Sequence, residues 1–228
     1  MVVNDAVTEL AMAARLAAVV PTQRALLAHP LTHAGADVTV WSWLHGQPLT
    51  GADAHAQGAI LRRLHDHAQL RAAEVSCDGD QLASARARMR NLGYPATRAV
   101  LTALLDRAGA VLTATDQGEA VLSHGGAHDA NMLLVDGVVH LLDFDTTGPA
   151  PRLLDVASGL YSWALRHPDL GAARAFLAGY GPHPSVDPAA LAALIWVRRV
   201  RGTCTRAANG QDVTARIGEL ATIAAPTW

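Results

Sequence analysis

Asp136-Gly137 is the feature that most narrows what this chain can fold into. It separates two apolar runs, Met132 to Val135 and Val138 to Leu142. Asp-Gly between such runs has the composition of a two-residue type I′ turn, in which both central residues take positive φ. A tight β-hairpin is therefore expected here. Another short apolar run, Ala120 to Leu122, precedes it, and between them lies the polar loop Ser123-His124-Gly125-Gly126-Ala127-His128-Asp129-Ala130-Asn131. Nowhere else in the chain are polar, reactive side chains enclosed by buried strands. The turn brings Asp143 of Leu142-Asp143-Phe144-Asp145 back beside Asn131, so an amide and a carboxylate oxygen share one end of a small sheet. Taken singly, each residue reads as a turn-stabilising group. Together they form a donor pair that suits Mg²⁺ held by few protein oxygens and by phosphates.

The rest of the chain reads mainly as helix. Leu10, Ala13, Leu16 and Ala17 fall on one face over 6–18, and Pro21 ends that helix. Thr50 and Asp53 have capping-box spacing at the start of a helix over 50–67. Further helices are predicted over 80–92, 96–112, 152–166, 169–180, 188–208, where Asp187 caps and Pro188 opens the first turn, and 213–223. Alternation of β-branched and aromatic residues predicts a strand over 37–43, with Trp41 and Trp43 packing into the core. The fold class is α+β with helices in the majority.

Composition then excludes several functions. The chain has 228 residues, half of them hydrophobic, enough for a sizeable core. Its 18 cations are all Arg, with no Lys, against 20 carboxylates. Chemistry that needs an ammonium, such as a Schiff base or the phosphate-gripping Lys of a P-loop, is therefore absent. A net charge of -2 gives no overall field for phosphate polymers, so no nucleic acid and no membrane partner is expected. Cys77 and Cys204 form no CxxC pair, which argues against a zinc site or a disulfide framework and for a reducing, cytoplasmic location. The run Leu10 to Val20 is too short to span a bilayer and is broken by Arg15. The basic run Arg198-Arg199-Val200-Arg201 reads as a solvated helix face in preference to a phosphate or partner patch. His65 and His67 fall on different faces of their helix, against a shared metal.

Three ordered motifs carry a resemblance. His124-Gly125-Gly126-Ala127-His128-Asp129-Ala130-Asn131, Leu142-Asp143-Phe144-Asp145 and Leu154-Asp155-Val156-Ala157 resemble the HGDxHxxN, IDFD and YDLA motifs of the aminoglycoside phosphotransferase and choline kinase family. Trp43-Leu44-His45-Gly46-Gln47-Pro48-Leu49 is similar to that family's inter-lobe linker, Leu61-Arg62-Arg63-Leu64-His65 to its LARLH helix, and Phe176-Leu177-Ala178-Gly179-Tyr180-Gly181 to its late FLxGYG helix. The resemblance implies a kinase-like C-lobe over 46–228 and a remnant of a truncated N-lobe over 1–45. It further implies that Asn131 and Asp143 hold Mg²⁺ on the phosphates of ATP or GTP, that Ser42, Trp43 and Leu44 lie along the base, and that His128 and Asp145 meet substrate. Asp155 would brace the loop from below.

Two positions depart from the family pattern. Gly126 stands where the family carries the Asp that orients or deprotonates the accepting hydroxyl, and no Lys pairs with the phosphates. Asp129, His128 and His124 are the candidate surrogates for the missing base. The expected function is therefore that of a catalytically impaired phosphotransferase relative that binds a small molecule, nucleotide or partner protein, with Mg²⁺ and ATP or GTP as cofactors where nucleotide binding is retained and none otherwise. The first alternative is an active ATP/Mg-dependent enzyme acting on a hydroxyl of a small molecule or peptide. The second is a non-catalytic scaffold. A homo-oligomer or a partner chain covering the short N-lobe is expected.

Overall fold

The computed structural model describes residues 6–67, 82–115, 120–166, 170–183 and 186–222. Along the chain come α1 (Ala6–Ala17), β1 (Leu31–His33), β2 (Ala36–Val38), β3 (Gln47–Pro48), α2 (Ala54–Asp66), α3 (Ala83–Arg90), α4 (Pro95–Ala114) and β4 (Ala120–Ser123). There follow β5 (Met132–Val135), β6 (Val138–Leu141), β7 (Gly148–Pro151), α5 (Arg152–Arg166), α6 (Gly171–Tyr180), α7 (Pro188–Ala208) and α8 (Thr214–Thr222). The fold is α+β and mainly helical, as the periodicity predicts.

The hairpin forms at the predicted place. Asp136 and Gly137 take φ of 48° and 79°, and β5 pairs antiparallel with β6 in the register Met132↔Leu141 to Val135↔Val138. β3 joins the open edge of β5, and β4 pairs with β7 from Ala120↔Pro151 to Ser123↔Gly148. The polar loop leaves β4 at Ser123 and the acidic segment enters β7 at Gly148, so the two pairings hold both ends of the site at one edge. Local signals start the helices. Asp187 Oδ2 accepts from Ala190 N at 2.6 Å at the head of α7, and Thr50 N donates to Asp53 Oδ2 at 2.8 Å ahead of α2, through one 3₁₀ turn.

Two buried clusters share α7. The first joins Leu16, Leu61, Leu64, Phe144, Trp163, Phe176 and Tyr180 beneath the loop. The second joins α3, α4, α7 and α8 through Leu101, Leu105, Trp196, Cys204 and Leu220. Each such side chain contributes about 1.5–3 kcal/mol by leaving water. α2 and α6 cross with their backbones in contact: a Cβ on Gly58 would collide with the Phe176 carbonyl oxygen, and one on Gly179 with that of His55.

The N-terminal part differs from expectation. The strand predicted over 37–43 is regular only to Val38, in an exposed hairpin with β1. Beyond it, single bonds such as Leu26 N to Val40 O (2.8 Å) and Ser42 N to Arg24 O (2.8 Å) replace a ladder. Trp41 packs on Phe144 with ring centroids 5.9 Å apart, but Trp43 is 80% exposed and is not a core residue. On α1, Leu10, Ala13 and Leu16 are buried while Ala17 is exposed, because Val19 and Val20 take over the inward face. Cys77 and the opening of the helix predicted over 80–92 lie outside the described residues. Among the described residues no helix is long and apolar enough to cross a membrane.

Candidate active site

The loop between β4 and β5 is held from below by one carboxylate. Asp155, in the first turn of α5, is fully buried; its Oδ2 accepts from His124 N at 2.7 Å and its Oδ1 from Gly125 N at 2.9 Å. His65 Nε2 lies 3.1 Å from the same Oδ2, and His65 Nδ1 lies 2.8 Å from the Tyr180 hydroxyl. Arg152 donates to that hydroxyl at 3.1 Å, so the Tyr180 proton goes to His65 Nδ1 and the His65 Nε2 proton to Asp155. Burial pushes the Asp155 carboxyl upward, but the hydrogen bonds it accepts from His65 and from the His124 backbone outweigh it and hold the group below the usual range. A second strut comes from Gln57, which donates to Ala127 O at 3.1 Å and accepts from Trp163 Nε1 at 2.6 Å.

His124 is locked inside the loop. Its Nε2 lies 2.8 Å from the Leu142 carbonyl, which can only accept, and its Nδ1 accepts from Gly126 N at 3.3 Å. Both ring nitrogens are thus engaged. Burial pulls its pKa down against the raising influence of Asp155, so the ring is neutral with the proton on Nε2. Asp129 is 5% exposed and accepts from the Ser162 hydroxyl of α5. Gly126 offers no side chain, and a Cβ there would meet Asn131 Nδ2 at 3.0 Å.

The other side of the site is acidic. Asn131 Nδ2 donates to Gly126 O at 3.1 Å, and Leu142 N donates to Asn131 O at 2.9 Å, so Asp143 follows the residue paired with Asn131. Asp143 is exposed with φ of 63°. Asp145 is pushed up to about 6 by burial, then by its hydrogen bond to Asp143 and that neighbour's charge. Glu9 of α1 is raised as well, by burial and then by Asp145 and Asp143. Among the described residues neither aspartate forms an ion pair, so negative charge is left uncompensated here. Among those residues no three His, Cys, Asp or Glu side chains converge on a metal by themselves. This donor set fits a hard cation that takes one or two protein oxygens and the remainder from phosphates and water.

The raised pKa has a signed consequence. Because Asp145 binds its proton more tightly folded than unfolded, its contribution to stability is complete below about pH 4 and is lost as pH rises through about 6. In chelator, the wild-type melting temperature is expected to carry a falling component between those values that Asp145→Asn removes. An unchanged pH profile in the variant would contradict it.

Trp41 on Phe144 sets the start of residues 42–44 beside the acidic segment. Ser42 has its N–H bonded to Arg24 O and its carbonyl to Gln23 Nε2 at 2.8 Å, and Trp43 faces solvent. His128 lines a cavity of about 650 Å³ on the α7 side of the loop. The basic run of α7 is not a solvated face: Arg198 and Arg201 are partly buried and line that cavity, while Arg199 pairs with Glu219. Sequence reasoning also missed Gln57 and Trp163 as supports. For the arginines a signal existed, since 198, 201, 202, 205, 206 and 209 recur at helical spacing as a single non-apolar stripe.

Comparison with known proteins agrees with this fold. No curated protein matches the chain. Among solved structures, amicoumacin kinase in complex with AMP-PNP, Ca²⁺ and Ami superposes with a TM-score of 0.71 at 17% identity, covering 94% of this chain and 74% of that one. A microcompartment-associated aminopropanol kinase gives 0.65 at 21% identity, covering 94% and 77%. An aminoglycoside phosphotransferase from Alicyclobacillus acidocaldarius gives 0.61 at 16%, covering 95% and 78%. These likenesses establish the kinase-like fold. The family model described as "Phosphotransferase enzyme family" matches residues 3–194, which include the braced loop, the acidic segment and Asp155, and the chain therefore belongs to that family.

Proposed function

We propose that this protein binds a Mg²⁺–nucleotide in the cleft between Asn131 and the Asp143–Asp145 segment and transfers its phosphoryl group poorly, acting chiefly through binding. The observation that carries the reading is the absence of a base at the transfer position. Gly126 has no side chain, His124 has both nitrogens committed, and Asp129 is buried against Ser162. A missing general base typically costs ~10²- to 10⁴-fold in rate. The nucleotide-binding half is supported by the fold, by the uncompensated carboxylates, and by the AMP-PNP bound in the amicoumacin kinase structure. The nucleotide is ATP or GTP, and residues 42–44 are assigned to the base side of the cleft.

In this assignment each group has a limited task. Asn131 and Asp143 supply oxygens to Mg²⁺, which when bound screens the phosphate charges. Asp145 adjoins that pair and meets either metal or substrate. Asp155, His65 and Tyr180 keep the loop's backbone fixed. Association with a second chain over residues 6–45 belongs to the same proposal.

One observation favours the active alternative. His128 lines the α7-side cavity with Ser162, whose hydroxyl holds Asp129, so an acceptor there would lie near two groups able to take a proton. Turnover separates the readings. The wild-type chain with MgATP and hydroxylated acceptors is expected to give no more than trace transfer. Robust transfer that Asp129→Ala abolishes would overturn the preferred reading and establish the alternative.

A further inference from the structure

The α7-side cavity has a charge opposite to that of the acidic cleft. Arg198, Arg201 and Arg206 of α7 line it, together with Tyr161 and Ser162 of α5 and Thr205. Arg198 is spoken for: Nη1 donates to Gly125 O at 3.3 Å and Nη2 to Ser158 Oγ at 2.7 Å. Arg206 donates to Gln211 at 3.0 Å, and Arg88 of α3 approaches from the other side to donate to Thr205 Oγ1 at 2.8 Å. Arg201 differs. Among the described residues its guanidinium makes no hydrogen bond and no ion pair, and no carboxylate lines the cavity.

A partly buried guanidinium without an acceptor is costly, because its N–H donors give up part of their water and gain no protein partner in return. Burial, followed by the charges of Arg198 and Arg88, pushes Arg201 down to about 9, the direction produced by crowded cations that lack an anion. The volume, about 650 Å³, lies within the range of small-molecule sites. The hydroxyls of Tyr161, Ser162 and Thr205 add donors and acceptors around the charge. Tyr161 already accepts from Arg216 of α8, so its own proton remains available to an oxyanion.

We propose that this cavity is an anion subsite, in which Arg201, assisted by Arg206, holds the carboxylate or phosphate group of a small molecule. As the identity of a substrate or ligand subsite, the assignment rests on the phosphotransferase reading of the adjoining loop; as an anion site it does not. Its consequence for substrate class is specific. A ligand that places an oxyanion against Arg201 brings its remaining atoms towards His128 and the Asp129–Ser162 pair, while purely cationic amino-alcohols or aminoglycosides are repelled by the arginines that line the pocket.

The test uses the full chain and three probes: inorganic phosphate, succinate and choline, each titrated by calorimetry and by thermal shift. Saturable binding of phosphate, succinate or both is expected, weakened tenfold or more in Arg201→Met and in the surface-accessible Arg206→Gln, with choline silent. The relative affinities of phosphate and succinate identify which oxyanion the site prefers. Asp143→Asn should leave the anion affinity unchanged, whereas anion binding lost in Asp143→Asn and kept in Arg201→Met would place the ion in the nucleotide cleft and overturn the assignment. No saturable anion binding, binding as tight as wild type in both arginine variants, or binding of choline would also overturn it. Titration of the same samples with Mg–AMP-PNP reads the nucleotide cleft separately, so failure there is distinguishable from failure of the anion site. Arg206→Gln keeps the test decisive if Arg201→Met does not fold.

Discussion

Replacing Gly126 with Asp is expected to raise phosphoryl transfer by about 10²- to 10⁴-fold, the usual value of a positioned general base. The space permits it. A Cβ at 126 is tight only against the far end of the Asn131 side chain, at 3.0 Å, while Thr146 Oγ1 at 3.7 Å and His124 Nδ1 at 3.8 Å are ordinary contacts. The backbone there is not in the left-handed region, so no strain opposes a side chain. The cost is local: the Asn131 amide must give by a few tenths of an ångström while keeping its bond to Gly126 O. The rate is read as transfer of the γ-phosphate from MgATP to a panel of anionic and cationic hydroxyl compounds. A folded, nucleotide-binding Gly126→Asp variant with no gain would remove the missing base as the cause of impairment. The absent Lys acts on the same transition state, and losses within one catalytic unit are commonly non-additive, so its absence need not mask the gain.

The largest loss of stability is expected from Asp155→Ala. That change strands the N–H groups of His124 and Gly125 and the Nε2–H of His65, all buried around a space that water enters poorly. Removing one partner from a buried charged network costs about 3–5 kcal/mol. Denaturant unfolding checks the number, and nucleotide affinity should fall with it as the loop loses its fixed backbone. A loss below about 1 kcal/mol would mean that the loop is held elsewhere. Asp155→Asn keeps one acceptor and should sit between the two proteins.

Much of the framework was legible because strong local signals coincide with tertiary need. Asp187 and Pro188 set the start of α7, Asp136-Gly137 set the hairpin register, and α5 occupies the predicted 152–166. The short strands were not legible. β7 is Gly148-Pro149-Ala150-Pro151 and β3 is Gln47-Pro48, sequences with little strand propensity that pair only because β4 and β5 present open edges. The strand expected over 37–43 failed for the reverse reason: high propensity with no regular partner beyond Val38. At the site, Asn131, Asp143 and Asp155 could be picked out from motif order. Their wiring could not, since Gln57 reaches the loop from a distant helix with Trp163 behind it, and Tyr180 acts on Asp155 through His65. The arginines were misjudged because a charged helical stripe looks the same whether it faces solvent or a cavity.

The central claim is that the cleft keeps its nucleotide while lacking the means to use it well. Calorimetric titration of the full chain with AMP-PNP in Mg²⁺, repeated on Asp143→Ala, tests it most directly because it needs no acceptor. The account predicts saturable heat for the wild-type chain, dependent on Mg²⁺ and lost in Asp143→Ala. No binding by the wild-type chain, or binding indifferent to Mg²⁺ and to Asp143, would contradict it.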